Sequence, residues 1–287
     1  MVAGAPGSAR RAGSITPVSV RCPSRLAVGV VALLALVGCS GGAGEPSAAP
    51  GPSTTQPAST AAPTAAPTQV APTTTVPAAP QYFLATATVP SVDIYTSPVQ
   101  PEPARALGNP QPSGAAPGGT FPLRMLVVEE RGDWLKVLLP IRPNGSSGWV
   151  RRNVVELETH NFRAVVELGE HRITVWKGNE VLLQEPVGVG ASGRTPTTQG
   201  LFYITELYPV LPSQQGAYGP WAFALSGFSE VLYSFGDGGT GVLGLHGTGD
   251  PSSLGRDVSN GCIRMSNLGI TLLAETLPLG TPVEIKA

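Results

Sequence analysis

From residue 82 onward, apolar and polar positions alternate in short runs broken by glycine and proline, the period-two pattern of half-buried strands. Runs at residues 85–89, 92–95, 121–129, 134–139 and 148–150 lie close together between turn residues, as expected of a small barrel. A second group starts at Phe162. There, residues 163–168 and 172–176 flank Gly169-Glu170-His171, a hairpin-like connection, and Lys177-Gly178-Asn179-Glu180 turns the chain into residues 181–189. Further strands are predicted at 202–207, 231–235, 241–246 and 281–285. Only residues 268–277 carry a helical pattern, with Ile270, Leu273 and Leu277 on one side. Ser266 or Asn267 supplies the cap, and Pro278 and Gly280 the stop. The expected fold is mainly β: a small barrel, then a second β-rich domain with one helix near its C-terminal end. His160 lies near the boundary and reads as linker without partners, and His171, at a turn tip, reads as a solvated side chain. Trp134 and Trp149 read as core or rim aromatics of the barrel.

Composition changes the picture at the N-terminal end. Residues 40–80 are Pro, Ala, Thr, Ser and Gly with a single charge, Glu45, and cannot bury a core. They read as a tether that would reach about 120 Å if fully extended in polyproline form. Residues 1–38 pair a basic region containing Arg10, Arg11, Arg21 and Arg25 with an apolar run at 26–37. That run is short of the ~20 residues a membrane span needs, so an export signal fits better. Arg10-Arg11 suits a twin-arginine signal poorly. The run ends in Leu36-Val37-Gly38-Cys39, which resembles the lipobox of bacterial lipoproteins, with Cys39 as the lipidated residue; the other reading is an ordinary signal peptide with an incidental cysteine.

Export alters two counts. The formal net charge of −1 becomes −5 once four arginines and no acids are removed, and neither value argues for a nucleic-acid partner. Of the three cysteines, Cys22 is removed and Cys39 acylated, which leaves Cys262 alone and no disulfide framework. A lone thiol in an oxidising compartment is either buried and inert or reactive.

Cys262 lies sixteen residues after His246, in His-Gly-Thr-Gly-Asp-Pro-Ser-Ser-Leu-Gly-Arg-Asp-Val-Ser-Asn-Gly-Cys-Ile-Arg-Met. The thiol sits on a glycine-preceded turn or strand end, shortly before the predicted helix N-terminus and beside Arg264. Both neighbours would favour the thiolate. Nucleophilic cysteine chemistry needs a base and donors for an oxyanion. His246 is the histidine in reach, and the glycine- and serine-rich loop, which contains Asp250 and Asp257, lets the chain fold back. No acid is well placed to orient the ring, but a backbone carbonyl near Gly247 would serve. The N–H groups of Asn260, Gly261 and Cys262 are candidate oxyanion donors, and Gly261 admits the dihedrals such a turn requires. On residue types alone a structural cysteine and a core histidine remain open. Three histidines far apart offer no metal-ligand spacing, and no cofactor is expected.

The pattern carries further. His246-Gly-Thr, a loop, then Ser259-Asn-Gly-Cys-Ile-Arg-Met265 resembles the signature of the L,D-transpeptidase (YkuD-like) catalytic domain. Arg194-Thr-Pro-Thr-Thr-Gln-Gly-Leu-Phe-Tyr-Ile204, Tyr218-Gly-Pro-Trp-Ala222 and Leu277-Pro-Leu-Gly-Thr-Pro-Val283 fit the same family, so the resemblance covers residues 162–285. Asp93-Ile-Tyr-Thr-Ser-Pro98, Gly132-Asp-Trp-Leu-Lys-Val137 and Asn144-Gly-Ser-Ser-Gly-Trp-Val150 resemble a bacterial SH3-like domain, which often accompanies cell-wall enzymes. The organisation implied is a lipoprotein signal at 1–38, a tether at 39–80, an SH3-like barrel at 81–159 and the catalytic domain at 160–287.

The resemblance implies peptidoglycan stem peptides as donor and acceptor, and an enzyme held by its lipid at the outer face of the bacterial membrane. It implies Cys262 as nucleophile and His246 as base, with a thioester on a tetrapeptide stem leading to a 3→3 cross-link, or to carboxypeptidase activity when water replaces the acceptor. Arg264 would position the donor stem or the site, Ser259 would support the turn, and carbapenem-type β-lactams would acylate the thiol. One position departs from the pattern: many relatives carry histidine where this chain has Asn260. The alternative is an inactive, lipid-anchored wall-binding protein, which Asn260 alone encourages. Sortases separate His from Cys further and precede the cysteine with a Thr-Leu-X-Thr run that is absent here, and papain-like wall hydrolases reverse the order.

Overall fold

Alternation becomes strand wherever one face of the run is covered. In the computed structural model, which describes residues 78–113, 118–234 and 240–287, strands dominate and the expected mainly β fold is observed. The expected export signal at 1–38, Cys39 and most of the expected tether lie outside the described residues.

The first group of strands is β1 (Tyr82–Ala87), β2 (Ser91–Ile94), β3 (Arg105–Gly108), β4 (Gln111–Pro112), β5 (Thr120–Phe121), β6 (Arg124–Arg131), β7 (Trp134–Leu138), β8 (Ser147–Arg151) and β9 (Val155–His160). Five of them form one antiparallel sheet in the order β8-β7-β6-β1-β9, while β2 pairs with β3 and β4 with β5. Ala85, Ile94, Leu123, Met125, Leu135, Val137 and Val150 fill its core. Trp134 and Trp149 are 8% and 5% exposed, with Arg151 and Arg131 stacked over their rings, so both are structural aromatics on the rim. His160 is not linker. It ends β9 opposite Tyr82, packs against the Tyr82 and Phe162 rings, and is held below its ordinary pKa by burial.

The second group is β10 (Phe162–Glu167), β11 (Arg172–Lys177), β12 (Glu180–Pro186), β13 (Val189–Gly190), β14 (Gly200–Pro209), the short α1 (Gln215–Tyr218), β15 (Trp221–Phe228), β16 (Val242–His246), β17 (Asp257–Ser259), β18 (Ile263–Arg264), α2 (Asn267–Thr276) and β19 (Pro282–Lys286). Eight strands share one sheet in the order β12-β11-β10-β19-β14-β15-β16-β18. Parallel neighbours need a crossover, and α2 supplies the one that carries the chain from β18 at the sheet edge back to β19 between β10 and β14. The core combines Val166, Ile173, Phe202, Ile204, Phe223, Leu225, Leu243, Leu245 and Ile263 from the sheet with Ile270 and Leu273 from α2.

Three expectations are corrected here. Residues 231–234 are not a strand; the Val231 and Leu232 N–H groups donate to Ser229 Oγ, and the Leu232 carbonyl accepts from Arg142 of the first group. The strand at Trp221–Phe228 was not anticipated, because six consecutive residues are buried and the alternation is lost. His171 is only partly exposed and has a partner: its Nε2 lies 2.7 Å from Asp257 Oδ1, which ties the β10–β11 turn to β17.

Both groups lie within one compact unit, Ala71–Ala287. Tyr203 of β14 donates its hydroxyl to the Arg124 carbonyl at 2.9 Å. The β7–β8 loop reaches furthest across. Asn144 exchanges two hydrogen bonds with the backbone of Phe228, at 2.8 and 2.9 Å, imitating a strand pair. Arg142 donates to the carbonyls of Ser229, Leu232 and Thr240, and its guanidinium stacks 4.7 Å from the rings of both Phe228 and Tyr233.

Candidate active site

Two adjacent parallel strands build the site. Leu245 pairs with Ile263 and His246 with Arg264, so Gly244 lies beside Cys262 one step earlier in the register. Because Gly244 has no side chain, the Cys262 sulfur occupies that space: a Cβ there would lie 3.4 Å from Sγ and 3.7 Å from His246 Cδ2. Thiol and imidazole thus flank the same glycine, although sixteen residues of chain separate them. Sequence reasoning overlooked Gly244, since its role exists only once β16 and β18 are paired.

The ring is fixed by what surrounds it. His246 is 4% exposed, and its Nδ1 lies 2.7 Å from the Gly247 carbonyl oxygen. A carbonyl only accepts, so Nδ1 carries the proton and Nε2 carries the lone pair. Burial lowers the pKa to about 4; the Gly247 bond opposes this, and the charge of Arg264 adds to the lowering. The ring is therefore neutral at neutral pH and competent as a base. Tyr218 packs edge-on against it at a centroid distance of 4.9 Å, and the Met265 N–H donates to the His246 carbonyl. Asn267, the first residue of α2, accepts from Thr248 N–H at 2.9 Å and so holds the segment just beyond the ring.

The cysteine turn is stapled by Ser259. Its hydroxyl donates to the Cys262 carbonyl at 2.5 Å and accepts from the Gly261 N–H at 3.1 Å. Its own carbonyl takes two donors, Ala191 N–H and Thr195 Oγ1, each at 2.9 Å. Gly261 adopts φ +111°, a region that strains any other residue, which is the conformational demand expected of it. Its N–H is engaged by Ser259, however, so it is not an available oxyanion donor; the N–H groups of Asn260 and Cys262 remain the candidates. Asn260 is exposed at the tip of the turn.

The helix contributes less charge to the thiol than its position in sequence suggests. Ser266 caps α2 by accepting from Gly269 N–H, and Glu185 of β12 covers the same end, accepting from Ser266 N–H at 3.0 Å and Ser266 Oγ at 2.8 Å. The positive end of the helix is thus answered by a carboxylate. Arg264 is the remaining electropositive neighbour. Its Nε is buried with no hydrogen-bond partner among the described residues. No cluster of metal-ligating side chains occurs among the described residues.

Residues 161–285 match the family model for the YkuD L,D-transpeptidase catalytic domain. The chain is 33% identical over 124 residues to the YkuD protein of Bacillus subtilis (strain 168), covering 43% of this chain and 65% of that relative. It is 32% identical over 128 residues to the YkuD protein of Bacillus licheniformis, covering 45% of this chain and 67% of that relative. The match to the B. subtilis protein thus spans less than two thirds of its length. A solved L,D-transpeptidase from Mycobacterium smegmatis is more weakly similar, at 18% identity and a TM-score of 0.35 over 55% of this chain and 80% of that one. Through its residues 161–285, this chain belongs to the family of the YkuD L,D-transpeptidase catalytic domain.

Proposed function

We propose that this protein is a cysteine-dependent peptidoglycan L,D-transpeptidase. The single observation that supports the reading most is the Cys262 sulfur seated over Gly244 beside a neutral His246 whose Nε2 carries the lone pair. His246 Nε2 takes the proton of the Cys262 thiol, and the sulfur attacks the carbonyl of the diamino acid in a tetrapeptide stem. The resulting oxyanion is met by the backbone N–H groups of Asn260 and Cys262. The bond to the terminal D-alanine breaks, its amine leaves with the proton held by His246, and a thioester remains. The side-chain amine of a second stem attacks that thioester, gives its proton to His246 and restores the thiol, which closes a 3→3 cross-link. Water in place of the amine gives carboxypeptidase activity. Ser259 holds the turn during both steps, and Arg264, with its buried donor, faces an anionic group of the donor stem. Asn260 does not interrupt this route, since no proton passes through it.

The residues before Tyr82 fit an exported lipoprotein anchored at Cys39, with the first group of strands as an SH3-like domain next to the wall. Incubation of the protein with tetrapeptide stems or a carbapenem, followed by intact-mass measurement, tests the enzymatic part. An adduct is expected on the wild-type protein and none on Cys262→Ala. An unmodified wild-type protein with both reagents would overturn the reading and favour an inactive wall-binding protein.

A further inference from the structure

The Ser259 carbonyl is held by one donor more than it needs. Ala191 N–H alone would satisfy it, yet the Thr195 hydroxyl donates to it as well, also at 2.9 Å. That oxygen belongs to the peptide unit whose N–H is the Asn260 N–H. A trans peptide is planar, with C=O and N–H pointing in opposite directions, so donors that fix the oxygen also fix the hydrogen. The chemistry above gives the turn to Ser259 and an oxyanion contact to Asn260. It gives no part to Thr195, which stands 64 residues before Ser259 in the chain.

The direction follows from what flanks the turn. On one side lie β13 and the segment after it: Gly190 pairs with Ser259, and the Pro196 carbonyl oxygen stands 3.6 Å from the Cβ position of Gly261. On the other lies β16, where Leu243 stands 3.9 Å from that Cβ position and Gly244 faces the Cys262 sulfur. The Ser259 carbonyl points to the first side, so the Asn260 N–H points to the second, where thiol and imidazole stand. Among the described residues that N–H donates to nothing, whereas the Gly261 N–H is engaged by Ser259 Oγ.

Thr195 is itself held in place. Its N–H and that of Arg194 donate to the Ala191 carbonyl, at 2.9 and 3.1 Å, which closes a turn. Thr197 Oγ1 accepts from the buried Gly190 N–H at 2.8 Å, and Thr198 Oγ1 donates to the Phe228 carbonyl at 3.1 Å. A Cβ at residue 190 would run into the Thr195 carbonyl, so glycine there lets the segment lie against β13. The hydroxyl thus reaches the Ser259 oxygen from a fixed base.

Two effects on Asn260 follow. Its N–H is aimed, and it becomes a stronger donor, because a carbonyl that accepts two hydrogen bonds draws electron density from its own amide nitrogen. We propose that Thr195 is a positioning residue for acyl transfer at Cys262, its hydroxyl aiming and strengthening the Asn260 N–H toward the oxyanion. As the sulfur–carbon bond forms, the carbonyl π pair moves onto oxygen, and the N–H receives that charge. When the leaving group departs with its bonding pair, the carbonyl re-forms and the charge is gone. The device therefore acts on the rate of acylation rather than on binding. The proposal deepens the transpeptidase reading and rests on it for Cys262 as the acylated nucleophile.

Two reagents separate this role from plain support of the fold. p-Nitrophenyl acetate acylates a thiolate through a carbonyl oxyanion, whereas iodoacetamide alkylates it at a saturated carbon and forms none. Both rates are measured at Cys262 in the full chain, by the mass of the peptide that carries it, for wild type, Thr195→Val and Thr195→Ser. Thr195→Val is expected to slow acylation on the order of tenfold, part of the roughly 10²–10³ that losing a whole oxyanion donor costs, and to leave alkylation unchanged. Thr195→Ser keeps the hydroxyl and should restore acylation. An unchanged ratio of the two rates in Thr195→Val would overturn the proposal, whether both hold or both fall. Equal losses in the Val and Ser variants would overturn it too, since the methyl group would then be what matters. Stem turnover tests the underlying reading separately. Hydroxyl-dependent acylation, without turnover of tetrapeptide stems by wild-type protein, would keep the positioning role and overturn the transpeptidase reading. With turnover, Thr195→Val should lower kcat and leave KM unchanged. Should Thr195→Val not fold, Thr195→Ser and Thr195→Ala differ by the hydroxyl alone and carry the same comparison.

Discussion

Burial gives His246 its character. A histidine in water is half protonated near neutrality, but this ring is enclosed by the sheet and Tyr218 and its pKa is lowered to about 4. Above pH 6.5 the ring is neutral folded or unfolded and contributes nothing to pH dependence. Between about 6.5 and 4 the unfolded chain takes up a proton that the folded one refuses, so stability falls as pH falls, by on the order of 3 kcal/mol in total. His160 shifts the same way, so the comparison must be with a variant. Urea denaturation of wild-type and His246→Ala protein at pH 7 and pH 4 is expected to show a wild-type loss greater by about that amount. A pH-independent difference would refute the buried neutral ring. The histidine, the cysteine and the turn between them are legible in sequence because the chemistry demands those residue types. The means of orienting the ring is also legible, as the Gly247 carbonyl. Gly244 and Tyr218 have no chemistry of their own and acquire a role only through strand pairing and ring contact.

At the scale of elements, α2 shows how a local signal can be right and its consequence incomplete. The Ser266 cap is readable from four residues of sequence, and it is present. The second cap, Glu185, comes from a strand 81 residues away, and no local pattern announces it. Removing its charge while keeping its shape, in Glu185→Gln, is expected to cost about 1 kcal/mol, and Glu185→Ala about 2 kcal/mol, through the lost dipole partner and the two Ser266 bonds. Thermal denaturation checks this; melting temperatures equal to wild type would show that the helix end needs no acid. β15 shows the opposite failure. Trp221–Phe228 lies between β14 and β16 with both faces covered, so its sequence has no polar face to alternate with.

At the scale of the whole molecule, the β7–β8 loop joins the two groups of strands. Arg142 neutralises three carbonyls of the β15–β16 connection and lies between two aromatic rings, and Asn144 completes the same strand end. Thr198 bonds the same Phe228 carbonyl at 3.1 Å, and Thr195, three residues earlier, bonds the Ser259 turn. Arg142→Ala is expected to destabilise the fold by about 2–3 kcal/mol. Arg142→Lys should recover only part of this, because a point charge cannot span the three carbonyls or stack flat between rings. A melting temperature for Arg142→Ala within a degree of wild type would show that the contact is incidental. Sequence alone determined what depends on neighbours along the chain: strands where one face is buried, the helix and its serine cap, and the spacing of histidine and cysteine. Tertiary structure decided what depends on residues distant in the chain, because backbone pairing has no signature in composition. That category includes the thiol seated over Gly244, the carboxylate on the helix end, and the β7–β8 loop that holds the β15–β16 connection.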